Sequence, residues 1–343
     1  MNPYFITAND FDAFVTKMSK DKKVIGPKAK KQKFVFGEIK SADHLRLDYD
    51  VTILPPKKVF TPTCQTLVTF DGDKFEGNVD NDGVILFGVH FYDIRGIDIT
   101  DLLFRENNRD VNYLAKREAS TIVGSNIQNV SKRSFWGSIG TSDSGPKGHD
   151  AFLTKMDGGY VLECLTQKGE DLVKFGNWSK ASAAQVSEAE KINKDVMDKC
   201  SQKLSHSSSE IAEKVRNSFD NQELWSNLAE DCFSCGSCNT VCPTCYCFDV
   251  QDKWNLNQVS GMRNRYWDSC LTEDFAKVSL GAGSEENFRE TRGERFRHRI
   301  MRKATYLNEK LGTPACVGCG RCSAACTADI ADPVNVINKI MEV

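Results

Sequence analysis

No stretch of this 343-residue chain holds the roughly 20 consecutive apolar residues that a membrane-spanning helix needs. The opening MNPYFITANDFDAFVTKMSK is broken by Asn9, Asp10, Asp12 and Lys17, so a secretory leader is not expected either. Charge of one sign is missing as well: 45 basic against 47 acidic residues leave a net charge of -2. No whole-chain field therefore draws nucleic acid or an anionic surface, and partners have to be recognised by local patches. Histidine is sparse. His44, His90, His149, His206 and His298 are scattered, none in an H-E-x-x-H arrangement, and no acid–base or covalent active site is legible. A G-x-G-x-x-G turn is lacking too, since the nearest fragment, Gly281-Ala282-Gly283, has no third glycine and no preceding strand. That argues against a nicotinamide or flavin site of Rossmann type.

Cysteine is abundant, and its placement carries the chemistry. Cys64, Cys164 and Cys200 stand alone and read as inert packing residues, while the others lie from Cys232 onward. The run Cys232-x2-Cys235-x2-Cys238-x3-Cys242-Pro243 returns as Cys316-x2-Cys319-x2-Cys322-x3-Cys326. Each run matches the ligand spacing of two-cluster ferredoxins. Three closely spaced thiolates can wrap one face of an iron–sulfur cube, and the fourth lies beyond the turn, where it serves the other cluster. The expected centres are two [4Fe-4S] clusters, one on Cys232, Cys235, Cys238 and Cys326, the other on Cys242, Cys316, Cys319 and Cys322. Zinc is the alternative for four thiolates, but its structural sites usually present paired C-x2-C knuckles. Gly236, Gly318 and Gly320 are expected to let the backbone approach the cubes and aim N–H groups at sulfur. Clustered thiols of this kind belong to a reducing compartment, which places the chain in the cytoplasm.

The length suits two cores, and the composition predicts an α+β multidomain chain. Residues 1–182 read as a mixed α/β docking domain, with β-rich runs at 51–54, 66–70, 84–89, 121–123 and 159–165 and helices over 98–104 and 111–119. Residues 183–231 read as a helical connector, in which Ser208 or Ser209 can cap a helix. Leu224, Trp225 and Leu228 form one apolar face there, and Trp225 reads as core packing before electron relay. Residues 232–343 read as an α-helical ferredoxin-like domain, because the long insert between the cysteine runs is helix-prone.

Within that insert, 288–303 carries Arg289, Arg292, Arg295, Arg297, Arg299, Arg302 and Lys303. This is either a solvated face pairing with Glu286, Glu290 and Glu294, or a basic face that docks a partner or tunes the clusters. Cys245, Cys247 and Cys270 remain over beside the first run. They lack an obvious fourth partner for a third centre, and small buried cysteines are common.

CGSCNTVCPTCYCFDV, RYWDSC, GERFRHR and CVGCGRCSAAC resemble the iron–sulfur electron-transfer subunit shared by cytoplasmic sulfhydrogenases (the β subunit) and anaerobic sulfite reductases (the A subunit). The likeness continues through LPPKKVFTP, GVHFYDIRGID and GGYVLECLTQKGE. It implies a complex with a flavin-containing, NAD(P)H-linked subunit and a catalytic subunit of hydrogenase, sulfite reductase or heterodisulfide reductase type. An iron–sulfur protein with its own reductase activity is the alternative. The family also carries N-terminal cysteines that suggest an extra cluster. Tyr92 and Ser134-Phe135-Trp136 stand in their places here, so two clusters are expected in place of three.

Overall fold

The computed structural model describes residues 2–139 and 147–343. Its strands are, in chain order, β1 (Asn2–Thr7), β2 (Val24–Lys30), β3 (Lys33–Ile39), β4 (Cys64–Asp71), β5 (Lys74–Gly77), β6 (Ile85–Val89) and β7 (Thr121–Ser125). They continue with β8 (Ala151–Met156), β9 (Gly159–Cys164), β10 (Ser179–Lys180), β11 (Phe248–Trp254), β12 (Ser260–Trp267), β13 (Lys277–Gly281) and β14 (Ser284–Asn287). The chain divides into two compact units, one made of 1–60, 80–131 and 143–201, the other of 61–79, 132–142 and 202–343. The stretch 183–231 is thus shared between the two units.

The first unit is built on an eight-stranded mixed sheet in the order β10-β1-β9-β8-β7-β6-β2-β3. β2, β6, β7 and β8 pair in parallel with one another, and the outer pairs are antiparallel. All five residues of β6, Ile-Leu-Phe-Gly-Val, are buried, as a central strand covered on both faces requires. The helix Ala8–Asp21 starts where the Thr7 hydroxyl accepts the Asp10 N–H, and it buries Phe11, Phe14, Val15 and Met18 at helical spacing. The helix expected over 98–104 begins earlier, at Phe91, and runs to Arg105. The strand expected at 51–54 is reduced to an isolated bridge between Phe34 and Thr52, because Pro55 and Pro56 follow and cannot donate to a ladder.

The second unit packs helices around Trp225, Phe296, Ile300 and Ile337. Ser208–Asn217, Gln222–Leu228, Arg292–Met301 and Pro333–Glu342 supply these helices. The insert between the cysteine runs departs from the helical expectation. It opens with four strands, β11 and β12 completing the antiparallel sheet β11-β12-β4-β5, and β13 and β14 forming a hairpin. Phe248-Asp249-Val250-Gln251 alternates with period two, and Asn255–Gln258 closes the turn with Gln258 at φ 56°. Helix begins only at Arg292. Ser207, one residue earlier than expected, caps the helix Ser208–Asn217 in a capping box with Glu210. Trp225 is fully enclosed in the core, its indole N–H donating to the Ser218 carbonyl at 2.7 Å. Among the described residues no helix is long and apolar enough to cross a membrane.

Candidate metal centre

Both cysteine runs fold the same way. In the first, Ser234 (φ 52°) and Gly236 (φ 72°) turn the chain left-handed before the short helix Ser237–Thr240. In the second, Gly318 (φ 66°) and Gly320 (φ 74°) do so before Arg321–Ala325. Ser234 and Gly318 occupy equivalent places, and only one needs to be glycine. A Cβ on Gly318 would lie 2.5 Å from the Trp136 backbone, and one on Gly320 would lie 2.2 Å from the Arg133 carbonyl oxygen. These glycines therefore admit the segment 132–139, whose Phe135 N–H donates to the Gly318 carbonyl at 2.9 Å. Gly236 makes room for Ser269, 2.6 Å from where its Cβ would be. Close approach of chain segments thus accounts for all three, in addition to the access to a cluster expected from the sequence.

The two runs interleave. One cavity is lined by Cys232, Cys235 and Cys238 of the first run together with Cys326 of the second. The other is lined by Cys316, Cys319 and Cys322 together with Cys242 and Pro243. Among the described residues no three His, Cys, Asp or Glu side chains converge on a point suited to one metal ion. Each quartet instead surrounds a cavity, the arrangement that a polynuclear cube with a thiolate at each iron demands. Thr244 ties the runs together by donating its hydroxyl to the Ala315 carbonyl at 2.7 Å, one residue before Cys316. The Lys303 carbonyl accepts the Ala315 N–H at 2.9 Å.

The electrostatics match an anionic group. Burial pushes the free Cys238 thiol up to about 11 and the Cys316 thiol up to about 12. The Ser237 hydroxyl pulls the more exposed Cys235 down. Buried positive charge faces these thiols. Arg295 and Arg299 are each only 4% exposed, so the reading of the basic segment as a solvated face fails for them. Arg299 donates Nε–H to Asn239 Oδ1 at 3.0 Å. Burial alone would lower its pKa, but thiolates at Cys238, Cys322, Cys245 and Cys242 hold it well above the ordinary value. Lys303 is likewise raised against its burial by Cys242, Cys245 and Cys316. Arg295 donates to the carbonyls of Arg289 and Glu290 and to the Ser234 hydroxyl, fixing the left-handed turn of the first run.

Three partners escaped the sequence reading: Asn239, Thr244 and the segment 132–139. The i, i+4, i+8 spacing of Arg295, Arg299 and Lys303 was a usable signal for one buried basic face. The segment 132–139 carried none, because its contacts with the second run span almost two hundred residues.

The leftover cysteines also find places. Cys245, Cys247 and Cys270 line a single cavity of about 370 Å³. Cys164 lies buried in the first unit, where burial pushes its thiol up to about 12. Cys64 is exposed, against the packing expectation, and Cys200 is half-buried. Tyr92, standing where the family resemblance puts a ligand cysteine, is 1% exposed, and its hydroxyl bonds His90 Nδ1 at 2.9 Å and the Asp50 carbonyl at 3.2 Å.

Both cysteine runs fall inside a stretch that matches a known domain family. Residues 231–330 match the 4Fe-4S dicluster domain family, which defines an iron–sulfur protein. Over its length the chain is similar to the sulfhydrogenase 2 subunit beta of Pyrococcus furiosus, 33% identical across 349 residues that cover 97% of this chain and 96% of the relative. The chain belongs to the family of sulfhydrogenase β subunits, iron–sulfur electron-transfer subunits of hydrogenase type.

Proposed function

We propose that this chain relays single electrons within a cytoplasmic oxidoreductase complex, between a flavin-containing, NAD(P)H-linked subunit and a catalytic redox subunit. The catalytic partner is of hydrogenase, sulfite reductase or heterodisulfide reductase type. The observation that carries this reading is the interleaving of two cysteine quartets around two cavities of one compact unit. Cys232, Cys235, Cys238 and Cys326 would hold one [4Fe-4S] cluster, and Cys242, Cys316, Cys319 and Cys322 the other. Bound there, such clusters supply reversible one-electron chemistry. The protein's own part is electrostatic. Arg299 and Lys303 place positive charge beside the thiolates, where it stabilises added negative charge in a poorly solvated interior. Apolar side chains such as Phe135, Ile300 and Ile337 keep water from the second cavity.

A reductive titration of the anaerobically purified chain tests the relay. Uptake of about two electrons per chain, one per cluster, reversible with an added oxidant, is expected. Turnover of NAD(P)H by the isolated chain would contradict a pure relay and favour a reductase of its own. The ligand assignment has a separate test in Cys326→Ser. It should cost the cluster otherwise held by the first run, leaving about four irons bound through the second. Loss confined to the second-run cluster would reject the exchange of fourth ligands.

A further inference from the structure

Cys245, Cys247 and Cys270 take no part in either quartet, yet they meet in a cavity of about 370 Å³, within the size range of small-molecule sites. Cys270 is buried, whereas Cys245 and Cys247 are half-buried. Cys270 shares a side-chain hydrogen bond with Cys247, and this contact together with burial holds its thiol strongly toward the protonated form. Asn239 holds two of the three thiols. Its Nδ2 donates to Cys270 Sγ at 3.1 Å and to Ser269 Oγ at 3.0 Å, while its Oδ1 accepts from Cys245 Sγ at 3.6 Å. The lining also carries positive charge from Arg299, Arg302 and Lys303, and Arg302 lies 5.4 Å from the Tyr246 ring. Arg299 and Lys303 also line the cavity of the second cysteine quartet.

Two hydrogen-bonded thiols on one cavity, Cys247 half-buried and Cys270 buried, suit the roles of an attacking and a resolving thiol. We propose that Cys247 and Cys270 form a redox-active dithiol that reduces a small anionic disulfide bound against Arg299, Arg302 and Lys303. The Cys247 thiolate attacks the disulfide R–S–S–R, forming a mixed disulfide and releasing one RS⁻, which takes up a proton. The Cys270 thiol, losing its proton, attacks Cys247 Sγ. The second RS⁻ leaves and is protonated, and a Cys247–Cys270 disulfide remains. Two thiols are oxidised to one disulfide, and one disulfide is reduced to two thiols. Restoring the dithiol takes two electrons, delivered one at a time by an iron–sulfur donor, and two protons from solvent. That return step rests on the relay reading above.

The test uses anaerobically purified, fully reduced holoprotein and glutathione disulfide as the anionic probe. After stoichiometric exposure, quenching by alkylation and peptide mapping, a Cys247–Cys270 cross-link is expected, with about two glutathione thiols released per chain. Cys270→Ser should trap glutathione on Cys247, and Cys247→Ser should give neither product. Iron content should stay at that of the unmodified chain in both variants. Full alkylation of Cys247 and Cys270 after exposure overturns the proposal, as does loss of iron in Cys247→Ser, which would make these residues cluster ligands. A low iron content in the unmodified chain with the cross-link still formed would instead strike the relay reading and leave the dithiol standing.

Discussion

Arg299, 4% exposed, interacts electrostatically with thiols of both quartets, Cys238 of one and Cys322 and Cys242 of the other. Its charge favours any state that carries an extra electron. Arg299→Gln is therefore expected to make the reduction potentials more negative by about 60 mV or more, a tenfold shift per electron. Arg299→Lys keeps the charge and should recover most of the change. Potentiometric titration of variants with matching iron content measures this, and unchanged potentials in the glutamine variant would contradict the assigned role. The two cysteine runs were legible residue by residue, because a C-x2-C-x2-C-x3-C spacing is local geometry. The burial of Arg295 and Arg299 was less so. Seven basic residues in one stretch look like a solvated face until the neighbouring helix Gln222–Leu228 and the cysteine turns cover one side. The demands on Gly318 and Gly320 lay outside sequence reasoning, since the clashing atoms belong to Arg133, Phe135 and Trp136.

The helix Arg292–Met301 presents Arg295 and Arg299 on one face, and its start is fixed by a capping box. Thr291 Oγ1 accepts the Glu294 N–H at 3.2 Å, and Glu294 Oε2 accepts the Thr291 N–H at 2.8 Å. Thr291→Ala should lower stability by about 1 kcal/mol, read from denaturant midpoints of anaerobic protein with equal iron content. A change of only a few tenths would mean that packing alone holds the helix. Hydrogen bonds from Thr291 hold the Glu294 carboxyl below its ordinary 4.5. Its contribution is thus complete above about that pH and fades as pH falls through the lowered folded value. Caps of this sort were readable, to within one residue at Ser207. The strands were less readable. β11 and β12 have the alternation of a hairpin, but the flanking helix formers masked it. β1, β2, β3 and β8 gave no distinct signal, because mixed-sheet strands interrupted by Lys, Pro and Asn depend on their neighbours for burial.

At the level of the whole molecule, the second unit cannot be read as a continuous piece of chain. It recruits 61–79, which supplies β4 and β5, and 132–142, whose described part packs on the second cysteine run. Such long-range pairings leave no periodic trace in sequence, whereas the twofold repeat of the cysteine runs does. The repeat led to the expectation of two linked centres, and each of the two cavities is lined by cysteines from both runs. The family likeness itself covers nearly the entire chain, at 33% identity and 97% coverage. The central claim is that this interleaving houses two iron–sulfur clusters and nothing simpler. Iron and acid-labile sulfide per chain, measured on anaerobically purified protein, test it most directly. The account predicts about eight of each. Stoichiometric zinc with little iron, or about four irons and four sulfides, would contradict it.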